Sequence, residues 1–245
     1  MAQLIDYSVR LAPGLAVIVV AVALLGRHAP ALRIGLLISA FVLMRDLMTP
    51  MGFWQFGRTD AGLPWLRFLD DGFVISALAG AALALTAVAV LTQRDLAAGI
   101  VWGRLDVRAL LTALGAAAVI LVPLLLLMDT VPLADRGGPV AVAVIWPLLL
   151  IAYGGNLMEE VLFRGMLQGH LDSLGIAPRR VVLLSGLFFA AGHVFLAATV
   201  TSLGWPLLLF ALVEGLACAW VRQRAGVLAS TVTHGSVIFV LAVGI

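Results

Sequence analysis

Eight stretches of roughly twenty mainly apolar residues, at 9–26, 31–48, 73–92, 109–128, 139 to about 163, 181–200, 203–221 and 225–245, constrain this chain more than anything else in it. About twenty such residues cross the hydrocarbon core as a helix, and in lipid only helices and closed barrels satisfy their own backbones. No alternating-strand pattern competes, so the chain is expected to be an all-α polytopic membrane protein with about eight transmembrane helices in one bundle. Composition agrees: 63% of residues are hydrophobic and 11% charged, against about a quarter charged in soluble domains, and the mean hydropathy is +1.14. No linker or repeat divides residues 1–245, which read as a single transmembrane domain. Lysine is absent, and no nucleic-acid signature appears among the arginines. Cys218 is the single cysteine, which excludes an intrachain disulfide and suits a small packed side chain. Residues 1–10 lack the charged start and cleavage site of a secretory signal, so the first run is expected to be retained.

Arginine placement sets an orientation. Alternate connections carry Arg27 and Arg33, then Arg94, Arg104 and Arg108, then Arg179 and Arg180, then Arg222 and Arg224, while the opposite set holds Arg10, Arg58, Arg67 and Arg136. Cytoplasmic loops are the arginine-rich ones, so both termini are expected outside. The outer connection at 49–71, with Phe53, Trp54, Trp65, Arg58 and Arg67, reads as an interfacial belt with a short re-entrant or amphipathic piece. Arg45 and Asp46 read as a snorkelling pair at that interface. Pro123 and Pro147 are expected as local kinks within spans.

Against this background Glu159 and Glu160 stand out, because a carboxylate at bilayer depth costs at least about 2.5 kcal/mol and marks a functional site by default. Arg164 follows Glu160 by four residues, the helical spacing for an ion pair. That leaves Glu159, about 100° round the helix, for chemistry. Three later spans bury His193, Glu214 and His234. At about 1.5 Å rise per residue, Glu159 lies about 16 Å above His170, His193 about 20 Å above Arg180, Glu214 about 12 Å above Arg222 and His234 about 15 Å above Arg224. Acids and imidazoles from four helices at one level describe a shared wet site in a bundle.

Glu159-Glu160-Val161-Leu162-Phe163-Arg164 reads as EExxxR, Phe189-Ala190-Ala191-Gly192-His193 as FxxxH, and His234 begins an HxxxB-type segment. In this order the chain resembles the CPBP (Abi) family, which includes the CAAX prenyl endopeptidases and glutamic-type intramembrane proteases. The resemblance implies a CAAX-protease-like core at about 139–245 and peptide-bond hydrolysis in or near the membrane. It further implies that Glu159 is the base activating water, His193 helps position that water, and His234 faces the oxyanion. Glu160 and Arg164 would support them. Phe189 is a candidate for lining the cavity, and Glu214, to which the resemblance carries no role, is a candidate for gating or lining it or for capping a buried partner. The substrate would be a membrane-anchored peptide or protein, processed or sorted at its C-terminus. The expected location is the lipid bilayer of a bacterial inner (cytoplasmic) membrane.

Ile238 stands where the family often has a polar residue, so another oxyanion donor is needed. Asn156, one turn before the glutamates, is the candidate, with Ser236 and Thr233 behind it. Two histidines and two glutamates also make a donor set that zinc accepts. The H-E-x-x-H signature is absent, and no cofactor is expected; a zinc-dependent membrane protease is the alternative. The remaining alternative is a non-catalytic scaffold or bacteriocin-immunity-type protein with the same polar cluster.

Overall fold

A computed structural model describes residues 1–60 and 62–244; the last residue of the eighth expected span, Ile245, lies outside them. Long helices form on every apolar run: α1 (Ala2–Leu25), α2 (Pro30–Leu47), α3 (Gly72–Thr92), α5 (Val107–Met128), α6 (Ile145–Glu160), α8 (Pro178–Ala191), α9 (Trp205–Ala225) and α10 (Val227–Val243). Two short helices join them, α4 (Arg94–Ala97) and α7 (Gln168–Ser173). Their starts follow local chemistry. Pro30, Pro178 and Pro206 occupy first turns, where a missing N–H costs nothing. The Asp71 carboxylate accepts from the Phe73 and Val74 amides, and Asp106 accepts from Ala109, capping α3 and α5. Pro147 falls in the first turn of α6 and kinks nothing, whereas Pro123 lies inside α5.

Among the described residues, six helical runs are long and apolar enough to cross a membrane, where about eight were expected. The exceptions are α2, which carries Arg33, Arg45 and Asp46, and α10, which has 17 residues. Both have a protein-facing reason to differ. The three charges of α2 are buried against partners, and α10 packs against α5, α6 and α9. Leu24, Val119 and Leu126 are exposed on other helices, as lipid-facing side chains are. Core packing centres on α6 between α3 and α10, with α8 laid against α9.

Among the described residues, the connection at 49–71 is not helical. It is an antiparallel hairpin of β1 (Trp54–Arg58) and β2 (Pro64–Phe68), pairing Trp54 with Phe68 and Phe56 with Leu66. Those four apolar residues share one face, since alternate residues of a strand point the same way. Arg67, on the other face, donates to the Leu241 carbonyl at 2.9 Å and ties the hairpin to the end of α10. Gln3 donates to the Met51 carbonyl at 2.5 Å, so the start of α1 reaches the same end of the bundle. The arginine-rich connections meet at the opposite end. There Arg33 bonds Asp95, Arg222 bonds Asp172, and the Val227 amide donates to Val101.

Candidate active site

The α6 helix ends at Glu160 and continues as a π-helical stretch, Val161–Leu167, a wider winding frequent at functional sites. Glu160 and Arg164 are fully buried with 3.2 Å between Oε1 and Nη1. Glu160 also accepts from Ser230 Oγ and from His234 Nδ1, the latter at 2.9 Å. Arg164 donates to the Gly215 carbonyl at 3.1 Å and lies 4.2 Å above the Phe189 ring centroid. Phe189 is itself in ring contact with His193 and His234 at 4.7 and 5.5 Å. This ion pair, the imidazole and the aromatic ring form the floor of the site. With Arg164 beside it and hydrogen bonds accepted from an imidazole and a hydroxyl, Glu160 is engaged by the protein and is less suited than Glu159 to taking a proton from water.

Glu159 turns the other way. Its Oε2 is buried without a hydrogen-bond partner among the described residues and lies 4.0 Å from His234 Nε2. Glu214 approaches the same nitrogen, with Oε2 at 3.6 Å, and its Oε1 is likewise unpartnered. A cavity of about 70 Å³ is lined by Glu159, His193, Glu214, His234, Asn156 and Ile238, with Trp54, Phe56 and Leu66 of the hairpin over it. About 10–15 Å³ of such space holds one water, so this cavity has room for a few waters. A cleft of about 380 Å³ adjoins it along α1, α2, α3 and α6, sharing Glu159, Asn156 and Ile238 and otherwise largely apolar.

Of the residues singled out in the sequence, Glu159, His193, Glu214 and His234 line one cavity. Glu160 and Phe189 lie behind them in contact with His234, and Arg164 pairs with Glu160. None of these three lines the cavity, a correction to the expectation for Phe189. Thr233 and Ser236 do not join them. Thr233 donates to the Ala113 carbonyl at 3.1 Å and Ser236 pairs with Tyr153 at 2.9 Å. Asn156 lines the cavity but donates one amide proton to the Ala152 carbonyl of its own helix at 2.6 Å.

Arg45 is the residue that the sequence reading misplaced. It does not snorkel; it is 5% exposed and lines both the cavity and the cleft. Its Nη1 is 3.0 Å from His193 Nε2, its Nη2 donates to the Gly192 carbonyl at 2.7 Å, and Asp46 holds its Nε at 2.7 Å. The bonds made by His193 fix its state. A guanidinium only donates, so Nε2 accepts; a carbonyl only accepts, so Nδ1, at 2.9 Å from the Phe189 carbonyl, carries the proton. A signal for Arg45 was present. Counted from Arg33, it sits about 18 Å up α2 at 1.5 Å per residue, level with the other four.

Fit to a zinc ion can be judged from donors. Among the described residues, Glu160, Cys218 and His234 bring ligand atoms within 4.8 Å of one another. There Glu160 and the His234 Nδ1 are already bonded to each other, and Arg164 would repel a dication at this point. His193 has both ring nitrogens engaged. These residues do not fit the metal as they stand.

Residues 141–240 match the family described as Type II CAAX prenyl endopeptidase Rce1-like. The match takes in α6, α8, α9 and most of α10, hence Glu159, Glu160, Arg164, His193, Glu214 and His234, and bears out the resemblance read from their motifs. The helices preceding it, with Arg45, lie outside. No curated protein and no solved structure matches the chain.

Proposed function

We propose that this protein is a glutamic-type intramembrane endopeptidase in which Glu159 activates the hydrolytic water without a metal. The observation carrying this reading is that Glu159, whose Oε2 is buried without a hydrogen-bond partner among the described residues, lines a small cavity at the end of an apolar cleft. Glu159 takes a proton from water as the water oxygen bonds to the scissile carbonyl carbon. The resulting oxyanion is stabilised by the Nε2 proton of His234, whose other nitrogen is held by Glu160. Glu214, on the same Nε2, steadies positive charge on that imidazole. When the tetrahedral intermediate collapses, the C–N bond breaks and Glu159 returns its proton to the departing amine.

The family match and the cleft support a membrane-anchored peptide as substrate, its apolar part lying along α1, α2 and α3. The orientation proposed keeps the arginine-rich end in the cytoplasm and both termini outside; a C-terminal alkaline phosphatase fusion that stays inactive would reverse it. The catalytic reading is tested in proteoliposomes with an internally quenched prenylated CAAX peptide. Wild type is expected to cleave it, with or without chelator, and Glu159→Gln to be inert. Cleavage that persists in Glu159→Gln refutes the mechanism. Activity lost to chelation and restored by stoichiometric zinc replaces it with a metal mechanism.

A further inference from the structure

We infer that Arg45, from a helix outside the family-matched segment, supplies a second oxyanion donor at this site, and that His193 serves to position it. The inference rests on the hydrolase reading above and deepens it.

The resemblance assigned His193 to the water, yet both its ring nitrogens are committed, Nδ1–H to the Phe189 carbonyl and Nε2 to Arg45. A neutral imidazole so bonded has no proton or lone pair left for a water. What it does is accept from, and thereby orient, a guanidinium. That guanidinium is fixed on three sides: Asp46 at Nε, the Gly192 carbonyl at Nη2 and His193 at Nη1. Asp46 Oδ1 also lies 2.7 Å from Nη2. Of the two Nη1 protons, one is given to His193, and the other has no acceptor among the described residues.

Arg45 lines the 70 Å³ cavity together with Glu159 and His234, and lines the cleft from which a substrate carbonyl would arrive. Ile238, on the same cavity wall, has nothing to donate. A pre-oriented cation beside a buried cavity is the arrangement that stabilises negative charge developing on oxygen, because its bonds need no reorganisation as the charge appears. The step balances as before. The electron pair of the carbonyl bond moves onto oxygen, that oxygen accepts hydrogen bonds from Arg45 Nη1–H and His234 Nε2–H, and the pair returns as the C–N bond breaks. Arg45 donates hydrogen bonds and keeps its protons throughout. Asp46 keeps one oxygen, Oδ2, buried and unpartnered, so it sets the orientation of the guanidinium through Oδ1 alone.

The test is steady-state cleavage of the quenched prenylated CAAX peptide by purified full-length variants in proteoliposomes. Loss of a single oxyanion donor typically lowers kcat about 10²–10³-fold. Arg45→Ala is expected to show a loss of that size in kcat with little change in KM, and free guanidinium ion is expected to restore part of it through the adjoining cleft. Arg45→Lys should retain more activity than Arg45→Ala. His193→Ala should lose about as much as Arg45→Ala, and the double variant no more than either, since residues acting as a unit are non-additive. Arg45→Ala with wild-type kcat while Glu159→Gln is inert would overturn the inference and leave the hydrolase reading standing. A kcat loss in Arg45→Ala that guanidinium does not relieve, together with a lowered melting temperature, would assign Arg45 a structural role. Peptide uncleaved by wild type, or cleaved equally by Glu159→Gln, would remove both.

Discussion

At the scale of single residues, two neighbouring glutamates share a backbone and differ in surroundings. Glu160 has Arg164, His234 and Ser230 about it, all buried, whereas Glu159 Oε2 has no hydrogen-bond partner among the described residues. Breaking a buried ion pair by removing one partner costs about 3–5 kcal/mol, because the remaining charge stays desolvated. Arg164→Met is therefore expected to lower unfolding stability by about that amount, read as a fall in melting temperature in detergent. Glu159→Gln is expected to cost much less, since Glu159 Oε2 gives up no hydrogen bond among the described residues. Equal destabilisation by the two would contradict the division of roles. The spacing of EExxxR already separated these acids in the sequence, and the depth count placed His193, Glu214 and His234 beside them. It missed Arg45 because an Arg-Asp pair near a span end reads as interfacial. Only the geometry shows the guanidinium folded inward onto His193.

At the scale of elements, every apolar run yielded a helix because length and hydropathy leave lipid-embedded backbone no other satisfied state. The hairpin escaped notice for a physical reason. Its alternation lasts five residues per strand, and its aromatic residues also suit a membrane interface. It covers the cavity with Trp54, Phe56 and Leu66, so an element invisible as a motif forms a wall of the site. The α9–α10 joint is equally local. Gly226 has φ +89°, and a β-carbon on Gly103, at φ +74°, would sit 1.8 Å from the Ala225 carbonyl oxygen. Gly103→Ala must then adopt a strained left-handed backbone and push the joint apart, disturbing the bonds from Val227 and Leu228 to Val101 and Trp102. The strain alone costs about 1–3 kcal/mol. Chemical denaturation should show at least that loss, whereas Gly115→Ala, where nothing lies within 4 Å, should be nearly neutral.

At the scale of the whole molecule, the arginine-rich end is pinned across helices by Arg33, which donates to both oxygens of Asp95 at 2.6 and 3.0 Å. These bonds hold the Asp95 carboxyl below the usual carboxylate range. A depressed value means that the folded state favours the ionised form, so the contribution is complete above the unfolded value of about 3.9 and is lost as pH falls through the lower folded value. Thermal unfolding of wild type and Asp95→Asn should differ by a constant amount from neutral pH down to about pH 4 and converge below it. Convergence near neutrality would show that the pair does not govern this end.

The first helix buries just Tyr7, Leu11 and Val22 and packs chiefly on α2, while Leu15 and Leu85 face each other's helices across the cleft that lies between α1 and α3. Under the proposed function, a scissile chain already dissolved in lipid would slip in sideways, without first passing through water, and leave along the same seam. Catalysis by that route would be coupled to the fluidity of the surrounding acyl chains, making the bilayer a component of the turnover number rather than its container.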